Sequence, residues 1–305
     1  MSVAFAHAPG ETGIPPLPEG WALFTEWTFD PTFLVPLLVA VLYLRGLRAY
    51  REGGRSLFRP WRLVMLGTGV LVSGIALMGP IDFLSDYSFT WHMVQHMLIA
   101  QVAVPLILLA APFLPVVHGL PEGFRRRWFI PFANHAGVRK VLAAATYPGV
   151  AFFSYVVALW LWHAPGPYNA ALGNDGVHFV EHLCFVLTSL QMHWHIVNPF
   201  PFHSRMHYLV RMAFLFVITL QNSALAAMIT FSDQVLYGYA KLESFWGMTM
   251  LEDQLVGGLL MWVGGGMMHL TAILIVFIVY AVEEERKEPH HPVNALADGK
   301  KAATA

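Results

Sequence analysis

Two histidine pairs at a four-residue spacing stand out in this chain. His92 and His96 lie in WHMVQHMLIA (91–100), and His178 and His182 lie in VHFVEHL (177–183). Residues four apart share one face of an α-helix, so each pair sets two imidazoles side by side. A fifth imidazole, His163, falls in WHAPGPYNAAL (162–172). Imidazole nitrogen ligates copper, zinc, iron and nickel. The pattern therefore points to a metal site built from His92, His96, His163, His178 and His182. Ligating histidines need neighbours that orient them, and Gln95, Gln101, Asn174, Asp175 and Glu181 stand close enough in sequence to do so. Met93 and Met97 flank the first pair. Thioethers favour Cu(I) over zinc, but both point partly off the histidine face, and methionine is also a common filler of apolar cores.

The remaining histidines form weaker patterns. QMHWHIVNPFPFHSRMH (191–207) holds His193, His195, His203 and His207. His193 and His195 are two apart and splay to different helix faces, while Arg205 and Arg211 nearby suit phosphate head groups. His269 sits in VGGGMMHL, where Gly264, Gly265 and Gly266 permit close backbone approach. An imidazole so deep in an apolar run is either a ligand or hydrogen-bonded to Gln221, Asn222 or Ser223. His193 and His269 are thus secondary metal candidates. The lone cysteine, Cys184, supports neither an internal disulfide nor a C-x-x-C metal site. No P-loop, G-x-S-x-G, H-E-x-x-H or dinucleotide fingerprint occurs, which removes nucleotide-driven and hydrolytic chemistry from the expectation. The chain is expected not to be an enzyme, and no nucleic-acid partner is expected.

Elements that hold such residues must be membrane helices. Of 305 residues, 56 % are hydrophobic and only 12 % charged, against about 25 % charged in an ordinary soluble domain; mean hydropathy is +0.54. Apolar segments lie near 32–50, 61–79, 92–114, 141–163, 177–197, 208–230 and 252–282. They lack the alternation of barrel strands, and only helices or closed barrels satisfy their backbone in hydrocarbon. The expected fold class is all-α, a polytopic bundle of seven transmembrane helices in a bacterial inner membrane. Residues 1–30 form an extracytoplasmic N-terminal arm, 31–282 the transmembrane domain and 283–305 a charged cytoplasmic tail. Pro105, Pro112 and Pro148 are expected to kink or end helices.

Basic residues orient the bundle. Of 18 Lys and Arg, only Lys241 falls opposite the others in a seven-span arrangement, which puts the N-terminus outside and the C-terminus in the cytoplasm. His7, His92, His96, His163, His178 and His182 then share the outer side. The inner side holds His118, His135, His193, His195, His203, His207, His290 and His291. The five outer imidazoles converge if helices 3, 4 and 5 are neighbours, which short connections favour. Asp82, Asp86, Glu252 and Asp253 make the outer face acidic and attractive to cations. Trp91, Trp160, Trp162 and Trp246 mark its aromatic belt.

WHMVQHMLIAQVAVPLILLAAP (91–112), WHAPGPYNAAL (162–172) and VHFVEHLCFVLTSLQMHW (177–194) resemble the polytopic CtaG-type cytochrome c oxidase assembly factors. The resemblance is clearest over helices 3 to 5 and looser over helices 2, 6 and 7. It implies a role in maturing haem–copper oxidases by handling copper on the outer face, with oxidase subunits as partners. The recurring motif positions of that family fall on His92, His96, His163, His178 and His182. Two other functions compete. A b-type haem protein needs axial histidines on facing helices, as His96 with His182 or His193 with His269. A metal or small-molecule transporter needs a polar path through the midplane, where Gln221, Asn222 and His269 are the main polar groups.

Overall fold

The computed structural model describes residues 27, 29–52, 59–202, 204, 206–239 and 247–287, with 50–52 as backbone only. Most of the expected arm, the tail beyond Lys287, and His7, Arg55, His203, Arg205, Lys241, Trp246, His290 and His291 lie outside the described residues. Among those described, regular structure is helical and no strand occurs. The long helices are α1 (Leu34–Glu52), α2 (Pro60–Met78), α3 (Phe89–Leu109), α4 (Pro148–Trp162), α5 (Asp175–Val197), α6 (Tyr208–Thr230) and α7 (Met250–Lys287).

By length and apolar character, five helices can cross a membrane: the stretch Pro31–Ala49, α2, α3, α6 and α7. A sixth crossing arises if Ala136–Ala145 and α4 count as one span bent by 64°. The helix α5 is not among them, although its 23 residues are long enough. It carries His178, Glu181, His182, Gln191, His193 and His195, so the residues that could do chemistry dilute its apolar character.

The segment expected at 141–163 is broken at Pro148, where a kink or helix end was expected. Tyr147 is extended (φ −74°, ψ 132°) ahead of Pro148, which opens α4. Proline drives the preceding residue out of the helical region, and its missing N–H costs nothing at the first helical position. The segment expected at 92–114 also ends early. Helix α3 stops at Leu109, Ala111 takes the left-handed conformation at φ 52°, and a separate helix runs from Phe113 to Gly119 after Pro112. Within α3, Leu98–Ala103 widens to a π-helix. Pro105 lacks an N–H for the carbonyl four residues back and crowds it; the wider turn upstream absorbs the misfit. Helix α7 continues to Lys287, past the expected span end at 282.

Packing sets the site's neighbours. Helix α5 lies against both α3 and α4, and α3 also lies against α7. The largest core cluster joins Phe89 and Met93 of α3, Tyr155 and Leu159 of α4, Phe185 and Met192 of α5, Ile218 and Leu225 of α6, and Met261 of α7. Helix α1 packs on Phe113–Gly119 so closely that a Cβ on Gly46 would stand 1.8 Å from the Pro115 carbonyl oxygen. The outward surface is apolar: Leu38, Leu71, Phe153, Leu187, Phe216, Leu270 and Phe277 are all exposed. Apolar exposure on this scale fits a lipid solvent rather than water.

Candidate metal centre

The site begins with the helix start that aims His92 and His96. Ser88 caps α3, accepting from the Trp91 N–H at 3.4 Å. Asp253 of α7 caps it a second time. Its carboxylate accepts from the Ser88 hydroxyl at 2.8 Å, the Phe89 N–H at 2.6 Å and the Thr90 N–H at 3.3 Å. A carboxylate at a helix N-terminus satisfies orphan donors and complements the macrodipole. Asp253 is 1 % exposed, so the expectation that it contributes to a cation-attracting surface is corrected: it is a buried brace that fixes α3 against α7. Gly257 permits this contact, since a Cβ there would meet the Phe89 ring at 2.4 Å. One turn into α3, His92 and His96 pack edge to face with ring centroids 4.3 Å apart.

Helix α5 supplies the opposite wall. Asn174 caps it, accepting from the Val177 N–H at 3.1 Å, and His178, Glu181 and His182 follow within its first two turns. The His178 ring is tilted against its neighbours, its centroid 5.2 Å from that of His92 and 4.2 Å from that of His182. One ligand atom from each of His92, His96, His178 and Glu181 comes within 4.8 Å of the other three. Glu181, expected behind the ligands as an orienting group, stands among them. Its oxygens lie 3.8 Å from His92 Nε2 and 4.0 Å from His96 Nε2, too far for hydrogen bonds.

These groups are buried without hydrogen-bond partners. Both ring nitrogens of His92 and His96, Nε2 of His178 and of His182, and both oxygens of Glu181 share that condition. An unpaired buried carboxylate costs several kcal/mol, as does each unmet polar group to a smaller degree. A metal cation fits this donor set: neutral imidazoles offer lone pairs and the carboxylate offers charge. Metal–nitrogen bonds of about 2.0–2.1 Å put tetrahedral ligand atoms about 3.4 Å apart, so the group needs only a modest inward closure.

The other two expected outer ligands sit differently. His182 adjoins the group, its ring 5.3 Å from that of His96, and its Nδ1 donates to Asp30 Oδ2 at 2.5 Å. Burial opposes charge on Asp30, but the hydrogen bonds from His182 and the Thr32 N–H outweigh it and hold that carboxyl below the ordinary value. His163, at the end of α4, is set apart. Its Nδ1 donates to the Leu159 carbonyl at 2.7 Å, and Phe185 packs against both its ring and that of His96. Gln95 acts as a strut between elements, donating to the Ala76 carbonyl at 2.9 Å and to Asp82 Oδ1 at 2.6 Å.

An aromatic cover that sequence reasoning missed closes this end of the bundle. Tyr168 of the short helix Pro165–Leu172 packs 5.1 Å from His92 and shares a short hydroxyl–hydroxyl hydrogen bond with Tyr239. Tyr237 stacks on Phe89 at 4.5 Å and donates to the His163 carbonyl at 2.9 Å. Burial pushes the hydroxyls of Tyr237 and Tyr239 above the ordinary phenol value, so both stay neutral. The segment carrying them is tied down by Gly238 N–H to Asn169 Oδ1 at 2.8 Å and Leu236 N–H to Gln254 Oε1 at 2.8 Å.

The secondary candidates lie elsewhere. His193 Nδ1 engages the Ser189 carbonyl at 3.0 Å. His269 is 2 % exposed with both nitrogens unpartnered. The hydrogen bond weighed for it with Gln221, Asn222 or Ser223 is therefore not formed. Asn222 instead donates to the Met261 carbonyl, and Gln221 accepts from Trp160. His195 bonds the Ser204 hydroxyl through Nδ1, and His207 caps α6. Arg211, expected to suit lipid phosphates, is buried, donating from Nε to the Met206 carbonyl with its guanidinium over the Tyr208 ring at 4.9 Å.

The family model described as cytochrome c oxidase caa3 assembly factor matches residues 41–281. No curated protein and no solved structure matches the chain.

Proposed function

This chain belongs to the cytochrome c oxidase caa3 assembly factor family, and from that premise we propose that it binds copper at His92, His96, His178 and Glu181 and hands it to an oxidase subunit. The observation that carries the proposal is the four-residue donor group within 4.8 Å, buried except for the half-buried His178, with both ring nitrogens of His92 and His96, Nε2 of His178 and both oxygens of Glu181 lacking hydrogen-bond partners. Imidazole and carboxylate together suit copper as a transferable cargo. They bind it without the closed thiolate cage that structural sites use.

Handover follows from the composition of the group. A transfer site must release what it holds, and it does so by exchanging ligands one at a time. His182 stands against both His96 and His178, so a cargo ion has a further imidazole beside it. The tyrosine cover governs access from that end of the bundle. In this reading the cover and the site face the extracytoplasmic side of a bacterial inner membrane, the chain crosses seven times with its N-terminus outside, and the protein acts by delivery rather than by catalysis. Haem between His96 and His182 finds no support in their edge-to-face contact at 5.3 Å, because axial ligands must stand on opposite faces of a porphyrin.

The test is oxidase maturation in cells. A strain lacking this protein and complemented with His96→Ala is expected to assemble little active caa3-type oxidase, and added copper is expected to restore part of the activity. Full oxidase activity with His96→Ala and Glu181→Gln combined, at limiting copper, overturns the proposal.

A further inference from the structure

Asp30 stands before α1 and outside the stretch matched by the family model, yet its carboxylate reaches 152 residues along the chain to His182. The contact is built from several sides. The Asp30 N–H donates to the Leu77 carbonyl of α2 at 3.2 Å. Oδ1 accepts from the Thr32 N–H at 2.7 Å, capping the turn Pro31–Phe33. That leaves Oδ2 for His182, and the carboxylate cannot swing away without losing its cap. A carboxylate only accepts, so His182 donates from Nδ1, and the neutral ring then carries its lone pair on Nε2. That Nε2 is buried and has no partner, and its ring lies 4.2 Å from His178 and 5.3 Å from His96.

We propose that Asp30 is a positioning residue of the metal site, holding His182 in the tautomer and orientation that offer Nε2 as a further imidazole ligand beside His92, His96, His178 and Glu181. The inference rests on the metal-site reading above and adds a ligand and its support to it. A carboxylate behind a metal-bound imidazole fixes the ring and raises its basicity, and removing such a support commonly costs about 10–100-fold in metal affinity. If Asp30 instead serves only to tether the chain ahead of α1 to the bundle, its loss lowers stability and leaves metal affinity alone.

Copper affinity of the full-length purified protein, measured by competition with a chromophoric chelator, separates the two. Asp30→Ala and His182→Ala are each expected to weaken copper binding about 10–100-fold, and the double variant no more than either alone, because the two residues act as one unit. Asp30→Glu is expected to restore most of the affinity, and Cu(II)-loaded Asp30→Ala to show one fewer coordinated nitrogen by electron paramagnetic resonance than wild type. Wild-type affinity in Asp30→Ala beside a weakened His182→Ala, or losses that add independently, overturns the role of Asp30. Should Asp30→Ala not purify as a folded species, Asp30→Asn keeps an acceptor oxygen without the charge; it is expected to show a smaller loss, and no loss overturns the proposal. A wild-type chain that takes up no copper overturns the metal-site reading itself, a different result from any of these.

Discussion

In the proposed copper site, Glu181 supplies the only negative charge among the four donors. Neutral imidazoles alone can share a pocket at modest cost, but a buried carboxylate beside them without a hydrogen bond is costly unless it meets a cation. Glu181→Gln keeps the shape and removes the charge. It is expected to lower copper affinity by at least about 100-fold, more than loss of a supporting group would, and to leave thermal stability in detergent equal or higher. A drop in stability with unchanged copper affinity would make Glu181 a structural residue. Asp253 makes the converse case. Asp253→Ala leaves buried donors at Ser88 and Phe89 unmet, at about 1–3 kcal/mol each, and is expected to lower the unfolding midpoint of apo protein. At this scale the histidine pairs were legible because a four-residue spacing fixes a shared helix face. Glu181 was visible too, three residues from His178, but its place among the candidate ligands rather than behind them depends on side-chain depth. Asp30 and Asp253 were not legible as partners, because nothing in sequence links them to residues more than 150 positions away.

Helices α3 and α5 are the elements that make the site. Each carries the histidines of the candidate site in its first two turns, and each is started by a side-chain cap, so those imidazoles sit at a defined height. The existence of these helices followed from hydrophobic runs; the short α4–α5 connection favoured their adjacency without fixing it, and the packing of α5 against α3 and α4 supplies it. The breaks were partly legible: Pro112 and Pro148 mark real interruptions, whereas the π-helical turn at Leu98–Ala103 has no sequence signature beyond a downstream proline. Apolar character alone does not mark α5 as a span, because its buried face is largely polar. Away from the site, α1 owes its place to Gly46. Gly46→Leu forces α1 from the Phe113–Gly119 helix and is expected to lower the detergent unfolding midpoint, while the folded fraction keeps its copper stoichiometry. Loss of copper in proportion to loss of α1 packing would tie the site to α1 more closely than the geometry does.

The whole molecule has an apolar exterior and a cluster of polar side chains at one end, and the basic loops lead to the expectation that this end faces away from the cytoplasm. Gly123 and Gly166 have open space at their Cβ positions, so cysteines introduced there in a Cys184→Ala background meet nothing. Gly166→Cys is expected to react with a membrane-impermeant maleimide in intact cells, and Gly123→Cys only after permeabilisation. The reverse pattern would place the site on the cytoplasmic side. The metal site itself is tested most directly by elemental analysis of the purified full-length protein after copper loading and gel filtration. The account predicts about one copper per chain in the wild type and almost none in a folded variant carrying His96→Ala and Glu181→Gln. Equal copper in both proteins, or none in either, would contradict it.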